Sequence, residues 1–265
     1  MSQATHGLGG LKYDPAKRTR AAEWNVFGAL VLIVLVFELL NRMNGTSFLF
    51  NMRDTGGLFN QARLDIMVLQ VAITGIIALG VTQVIILGGI DLSSGSVVGA
   101  TAMIVMSFAQ TELVNGNPNP KAIFGAWAMD LPVIVPIAVG LACGLFAGLI
   151  NGLLVAYTKI PPFIATLGMM VSARGVAKWW SNGQPVSFPT EAYGGLANGD
   201  ILGTLTFGLL SWPGQNPAVV FAVLALLFQI AMIRTLYGKR CYAIGSNEGA
   251  ARMAGVNVGR HKGLV

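Results

Sequence analysis

The sequence predicts an all-α protein, a polytopic transmembrane helix bundle of about six spans, and three observations predict it. Hydrophobic residues are 54% of the 265 and charged residues only 11%, against roughly 25% charged in an ordinary soluble domain. Too few charges remain to cover a water-facing surface. Apolar runs recur that are long enough to cross a hydrocarbon core, which takes about 20 helical residues at ~1.5 Å rise each. The runs are separated by loop-forming stretches rich in Gly, Pro and Asn, such as "NGNPNPK" at Asn115 to Lys121 and "SNGQPVSFPTEAYGGLANGD" at Ser181 to Asp200.

Residues 1–25 are polar, carry Lys12, Lys17, Arg18 and Arg20, and read as a cytoplasmic N-terminal segment with a flexible stretch at Gly7, Gly9 and Gly10. The transmembrane domain is expected over 26–234. Its first run, Val26 to Leu40, has the apolar core of a signal peptide but is followed by Asn41-Arg42-Met43 rather than a small-x-small cleavage site, so it reads as a retained span. The second run, Ile66 to Leu87, is ~33 Å long as a helix. The third, Val97 to Ala109, is too short alone, and its helix is expected to begin near Leu92. Leu131 to Tyr157, Pro162 to Trp180 and Ala218 to Arg234 complete the set, and residues 235–265 are expected to form a cytoplasmic region, the one that the resemblance below implies is the coupling region.

Charge gives an orientation. With the N-terminus in the cytoplasm, six spans return the C-terminus to the same side, and eleven basic residues then lie inside: Lys12, Lys17, Arg18, Arg20, Lys159, Arg234, Lys239, Arg240, Arg252, Arg260 and Lys262. Six, Arg42, Arg53, Arg63, Lys121, Arg174 and Lys178, lie outside. The excess on the inner side follows the positive-inside rule. At the outer end of the fifth span, Arg174 and Lys178 are expected to snorkel and Trp179 and Trp180 to join an aromatic belt.

The net charge of +6 does not indicate nucleic acid, because the basic residues edge the apolar runs instead of forming a patch with interleaved aromatics. Cys143 and Cys241 give neither a disulfide framework nor metal-ligand spacing, and no cofactor is implied. No phosphate-binding G-x-x-x-x-G-K-[ST] is present, and H-E-x-x-H is impossible with only His6 and His261. G-x-S-x-G and S-x-x-K are also missing, so the chain does not read as an enzyme.

Two patterns stand out within the spans. Gly140, Gly144, Gly148 and Gly152 recur every four residues, a glycine stripe that lets another helix approach backbone to backbone. Asn151, one turn from Gly148, needs a partner, either a neighbouring helix or a transported solute. The second pattern is "LGGIDLSSGS", Leu87 to Ser96, which puts one aspartate, three serines and three glycines between apolar runs. Asp91 facing lipid would cost roughly 2.5 to 3.5 kcal/mol. One reading is a tight turn in which Asp91, Ser93 or Ser94 caps the third helix. The other is a broken helix whose amides and hydroxyls line a polar pathway.

Near the C-terminus, Asn247 to Gly255 is expected to form a short surface helix. Asn247 suits an N-cap, Glu248 sits in the first turn where the dipole favours a negative charge, and Gly255 suits a left-handed C-terminal position. Glu248 and Arg252 are four apart in the favourable order, while Ala250, Met253 and Ala254 share a small apolar face. Isolated helices need about 12 to 15 residues to be stable, so this one must be held by something else.

"GGIDLSSGSVVG", "PPFIATLGMMVSARGVA" and "YAIGSNEGAARMAGVNVG" together resemble the three most recognisable stretches of the bacterial ribose/xylose/galactose-type ABC-transporter permeases, in the same order over about residues 66 to 262. The resemblance implies a fold similar to the vitamin B12-type permeases. It also implies an inner-membrane sugar-import subunit working with a second permease copy, identical or related, with a cytoplasmic ABC ATPase, and with a periplasmic sugar-binding protein. It supports Asp91, Ser93 and Ser96 as part of the transport core. Pro161 and Pro162 suit a helix start, and Thr166, one turn on, can turn a hydroxyl inward. "GSNEGAARMAGV" corresponds to the cytoplasmic coupling region, which makes Asn247, Glu248, Ala250, Arg252, Met253, Ala254 and Gly255 candidates for docking on the ATPase. Members of the family continue with several more spans past the last motif, so the chain reads as a truncated permease or as one half of a split one. The alternative is a secondary transporter of a small polar solute driven by an ion gradient. That mechanism needs intramembrane ionisable residues, and beyond Glu38 and Asp91 the spans have almost none.

Overall fold

The computed structural model describes residues 15–45, 48–50, 59–158, 160–200 and 216–265, with the side chains of 15–23 and 61–62 outside the description. The expectations for Gly7, Gly9, Gly10, Lys12, Arg53 and Lys159, and for the side chains of Lys17, Arg18 and Arg20, therefore lie outside the description. In chain order the elements are α1 Pro15–Met43, α2 Gln61–Ile86, α3 Ser94–Phe108, a short hairpin of β1 Leu113–Val114 and β2 Asn117–Pro118, α4 Ile134–Tyr157 and α5 Pro162–Trp180. They continue with α6 Glu191–Asn198, α7 Asn216–Arg234, α8 Leu236–Ser246, α9 Glu248–Met253 and α10 Val258–Leu264.

Among the described residues, four helices are long and apolar enough to cross a membrane: Trp24–Met43, Arg63–Ile86, Ile134–Tyr157 and Asn216–Arg234. The other two expected spans are also helices: α3 has 15 residues and begins at Ser94, inside the quoted motif and two residues past Leu92, and α5 has 19, with Arg174 and Lys178 among them. The first helix also starts earlier than Val26, at Pro15, because nothing in "PAKRTRAAEW" breaks a helix once Pro15 has begun it.

The chain divides into two compact units, Met1–Ile66 and Met67–Val265, and the division falls within α2. In the first unit Glu38 is 5% exposed despite lying in an apolar helix. Its carboxylate accepts hydrogen bonds from Leu49 N at 2.8 Å and Phe50 N at 3.3 Å, and pairs with Arg42 at 3.2 Å. Burying a carboxylate is tolerable because the returning chain supplies these donors.

In the second unit, helix direction follows from the ties at the helix ends. Thr166, one turn into α5, is bonded to Ile90 and Leu92 just before α3, and Trp180 at the far end of α5 donates to Ser107 Oγ at 3.0 Å near the end of α3. α3 and α5 are therefore parallel. Asn151, late in α4, reaches Ser93, so α4 runs antiparallel to both. The shared end of α3 and α5 is organised by Gln110, which is fully buried. Its amide donates to the carbonyls of Lys121 at 2.8 Å and Ser187 at 2.9 Å and accepts from Ile123 N at 3.0 Å, joining three loop segments through one side chain. Trp180 packs edge-on against Phe124 here, so it is a structural anchor rather than part of an interfacial belt, whereas Trp179 is 74% exposed.

Burial is reversed relative to a water-soluble protein. Ala100, Ala109, Ala165 and Ala173 are buried together with Ser93, Ser107 and Thr166, while Leu141, Leu145 and Phe146 of α4 face outward. Small and hydroxylated residues pack helices against one another, and large apolar side chains face the hydrocarbon that solvates them. The glycine stripe follows this logic only at its ends. A Cβ at Gly140 would lie 3.1 Å from Val105 of α3, and one at Gly152 3.0 Å from the Gly263 carbonyl of α10, but among the described residues Gly144 and Gly148 have nothing within 4 Å. Within this chain's described residues the stripe therefore makes two contacts, one of them backbone to backbone.

The tightest approach lies elsewhere. A Cβ at Gly245 in α8 would overlap the Ile86 carbonyl oxygen at the end of α2. Because backbone cannot move aside cheaply, Gly245→Ala is expected to destabilise the protein by about 1–3 kcal/mol. Thermal unfolding of the detergent-solubilised variant checks this, with an unchanged midpoint counting against the contact.

Candidate translocation and coupling site

The "GGIDLSS" segment is a built turn. Gly88 has φ +79, a conformation that ends α2 at low cost only with glycine. Asp91 Oδ1 accepts from both Ser93 N and Ser93 Oγ, each at 2.7 Å, an Asx turn that leads into α3. This corrects the capping expectation: Ser93 occupies the N-cap position without a side-chain capping bond, and Asp91 acts two residues earlier through Ser93.

Three helices converge on this turn. Thr166 Oγ1 accepts from Leu92 N and donates toward the Ile90 carbonyl, each at 3.2 Å. Asn151 Nδ2 donates to Ser93 Oγ at 3.0 Å. The single hydroxyl proton of Ser93 is already on Asp91, so Ser93 accepts from Asn151, and the orientation of the Asn151 amide is fixed. Its Oδ1 is then buried with no hydrogen-bond partner among the described residues, which costs about 1–3 kcal/mol. Asp91, Ser93, Asn151 and Thr166 thus form one group. Ser96 is not part of it. Ser96 Oγ accepts from Arg174 Nε at 3.1 Å and lines a separate cavity of about 360 Å³ with Arg174 and Lys178. Arg174 therefore points at α3 and does not snorkel.

The C-terminal region is held by caps. Asn247 Oδ1 accepts from Ala250 N at 2.9 Å, and α9 ends where Gly255 N bonds the Arg252 carbonyl and Val256 N the Ala251 carbonyl, each at 3.0 Å, with Gly255 at φ +85. This pair of bonds is a Schellman stop. Ala251 turns inward onto Ile244 and Val258, whereas Ala250, Met253 and Ala254 are exposed, Met253 by 90%. Glu248 pairs with Arg252 at 3.0 Å and with Lys262 of α10 at 2.7 Å. The hydrogen bond from Lys262, more than the two positive charges, holds the Glu248 carboxyl below the usual glutamate range. α10 starts on Asn257, whose side chain accepts from Arg260 N at 3.0 Å.

Sequence reasoning missed a buried pair that no spacing announces. Cys241 Sγ of α8 lies 3.2 Å from His261 Nε2 of α10. Burial pushes the Cys241 thiol up, and burial together with Arg240 pushes His261 down. Both are therefore neutral at pH 7, a structural pin between two helices rather than a nucleophile and its base.

The turn meets α9 and α10. Asp91, Asn151 and Thr166 line a cavity of about 260 Å³ together with Glu248 and Lys262.

These features define a class: a multi-pass helical membrane protein with a polar turn between its spans and a capped, exposed helix beside it. The chain belongs to the family described as branched-chain amino acid transport system / permease component, whose sequence model matches residues 63–265. It is 29% identical over 238 residues to the ribose import permease protein of Escherichia coli (strain K12), covering 89% of this chain and 63% of that protein. It is 30% identical over 289 residues to the xylose transport system permease protein of the same strain, covering 89% and 68%. The galactose/methyl galactoside import permease protein of Haemophilus influenzae (strain ATCC 51907 / DSM 11121 / KW20 / Rd) is 33% identical over 195 residues, covering 72% and 54%. The chain thus spans about 63% of the length of the ribose permease that it matches. No solved structure gives a significant match.

Proposed function

We propose that the chain is a permease subunit of an ATP-driven ABC importer for a monosaccharide of the ribose, xylose or galactose type. It is placed in the bacterial inner membrane with both termini cytoplasmic, and its fold is similar to that of the vitamin B12-type permeases. Its partners are a cytoplasmic ABC ATPase, a periplasmic sugar-binding protein, a second permease copy and the surrounding lipid. Asp91, Ser93, Ser96, Asn151 and Thr166 line the pathway, and Asn247 to Gly255 couples to the ATPase.

The observation that carries this reading is the position of α9. It is a six-residue helix, too short to be stable alone, yet it is capped at both ends, pinned by Lys262, and presents Met253 outward beside the cavity that contains Asp91. A segment fixed on its inner face and bare on its outer face suits a partner that pushes on it. A gradient-driven mechanism has less support, since Glu38 is engaged by Leu49, Phe50 and Arg42.

Membrane vesicles with the chain, its ATPase and its binding protein are expected to take up sugar only with ATP. The chain alone is expected to hydrolyse no ATP above background. Uptake driven by a proton or sodium gradient in vesicles lacking ATP would overturn the proposal.

A further inference from the structure

The groove between α3 and α5 carries charge of one sign only. Gly95, Ser96 and Gly99 of α3 face Arg174, Ala177 and Lys178 of α5 across a cavity of about 360 Å³, and no Asp or Glu lines it. Arg174 Nε donates to a neutral group, Ser96 Oγ, at 3.1 Å. Neither Arg174 nor Lys178 forms an ion pair among the described residues.

The depth of Arg174 argues against a lipid-facing role. At ~1.5 Å rise per residue, α5 is about 28 Å long and Arg174 lies about 9 Å before its Trp180 end. A snorkelling side chain would turn toward that end. Arg174 instead reaches back to Ser96, which lies about 16 Å along α3 from the Ser107 that Trp180 bonds. A cation held so deep is costly against hydrocarbon. The wall around it, a hydroxyl and two glycines, also differs from the outward face of α4, which presents Leu141, Leu145 and Phe146. The groove therefore suits water and not acyl chains.

Fixed positive charge adds little to the passage of an uncharged sugar. Its effect is on ions, because a cleft lined by one sign repels ions of that sign, and an arginine in a polar pore is a barrier to cations. A barrier has a task here. Asp91 lines the neighbouring cavity at the turn from which α3 rises, and its carboxylate draws cations toward that turn.

We propose that Arg174 and Lys178 are the cation barrier of the translocation pathway, which passes a neutral solute and turns back sodium and other small cations. The proposal rests on the permease reading, with Ser96 as a pathway residue, and goes beyond it by assigning ion exclusion to α5. Ser96 gains a second role, since its hydroxyl holds the Arg174 guanidinium over the groove.

The test is the entry of radioactive sodium and chloride into proteoliposomes that hold the chain, its ATPase and its binding protein, measured during ATP-driven sugar uptake. Wild-type vesicles are expected to admit no more sodium than protein-free ones. Lys178→Glu reverses one charge at an exposed position, and Arg174→Gln removes the other. Each is expected to raise sodium entry roughly tenfold or more with chloride entry unchanged, while Lys178→Arg keeps the wild-type level. If Arg174→Gln fails to fold without its tie to Ser96, Lys178→Glu decides. Sodium entry at the wild-type level in the folded variants would overturn the proposal, as would equal rises in sodium and chloride, the mark of a non-selective defect. Wild-type vesicles that take up no sugar with ATP would instead overturn the permease reading beneath it.

Discussion

Met253→Glu is expected to reduce sugar uptake to background and to release the ATPase during purification, with membrane insertion unchanged. Met253 is 90% exposed on a helix whose caps, Asn247 and Gly255, do not involve it. A substitution at such a position changes stability by no more than about ±0.5 kcal/mol, so a loss of function cannot come from unfolding. On the docking face, by contrast, a buried carboxylate without a partner is costly. Loss of an apolar anchor at the centre of an interface commonly costs about 2 kcal/mol or more, roughly 30-fold in affinity at 1.4 kcal/mol per factor of ten. The flexible thioether also suits a groove that changes shape through an ATP cycle. Co-purification with the tagged ATPase and uptake in the same cells check this. A variant that still co-purifies and transports would show that the face of Ala250, Met253 and Ala254 is not the docking surface.

The parts of the molecule that were legible in the sequence are those governed by local chemistry. The cap at Asn247, the Glu248–Arg252 pair and the left-handed Gly255 all follow from residues within one helix of one another, and the geometry has each of them. The apolar runs likewise mark the long helices, because span length is set by the bilayer and not by packing. What the sequence hides depends on which helices meet. Nothing in the spacing of Cys241 and His261, or of Asn151 and Ser93, announces contacts across 20 and 58 residues. Arg174 shows the same limit: by composition it is a snorkelling residue at a helix end, but the parallel packing of α3 and α5 brings Ser96 within its reach. The start of α3 was legible to within two residues: "IDLSS" is compatible with a helix start at several positions, and the Asx turn at Asp91 selects Ser94.

Asp91 separates turn from charge, and its two substitutions are expected to diverge. In Asp91→Ala, Ser93 N and Ser93 Oγ both lose an acceptor that is 2.7 Å away, in a residue that is 2% exposed. Leaving buried donors unsatisfied costs about 1–3 kcal/mol each, and the freed hydroxyl no longer fixes the amide of Asn151. The alanine variant is therefore expected to unfold at lower temperature and to lose uptake. Asp91→Asn keeps an Oδ1 that can accept both bonds, so its thermal midpoint is expected to match the wild type. It removes the negative charge of a residue that lines the same cavity as Lys262, so its uptake is expected to fall at least tenfold despite normal folding, about 1.4 kcal/mol. Thermal unfolding and initial uptake rates, measured on the same preparations, resolve the two contributions. If the asparagine variant transports at the wild-type rate, the carboxylate serves the turn alone and the pathway role passes to Asn151 and Thr166.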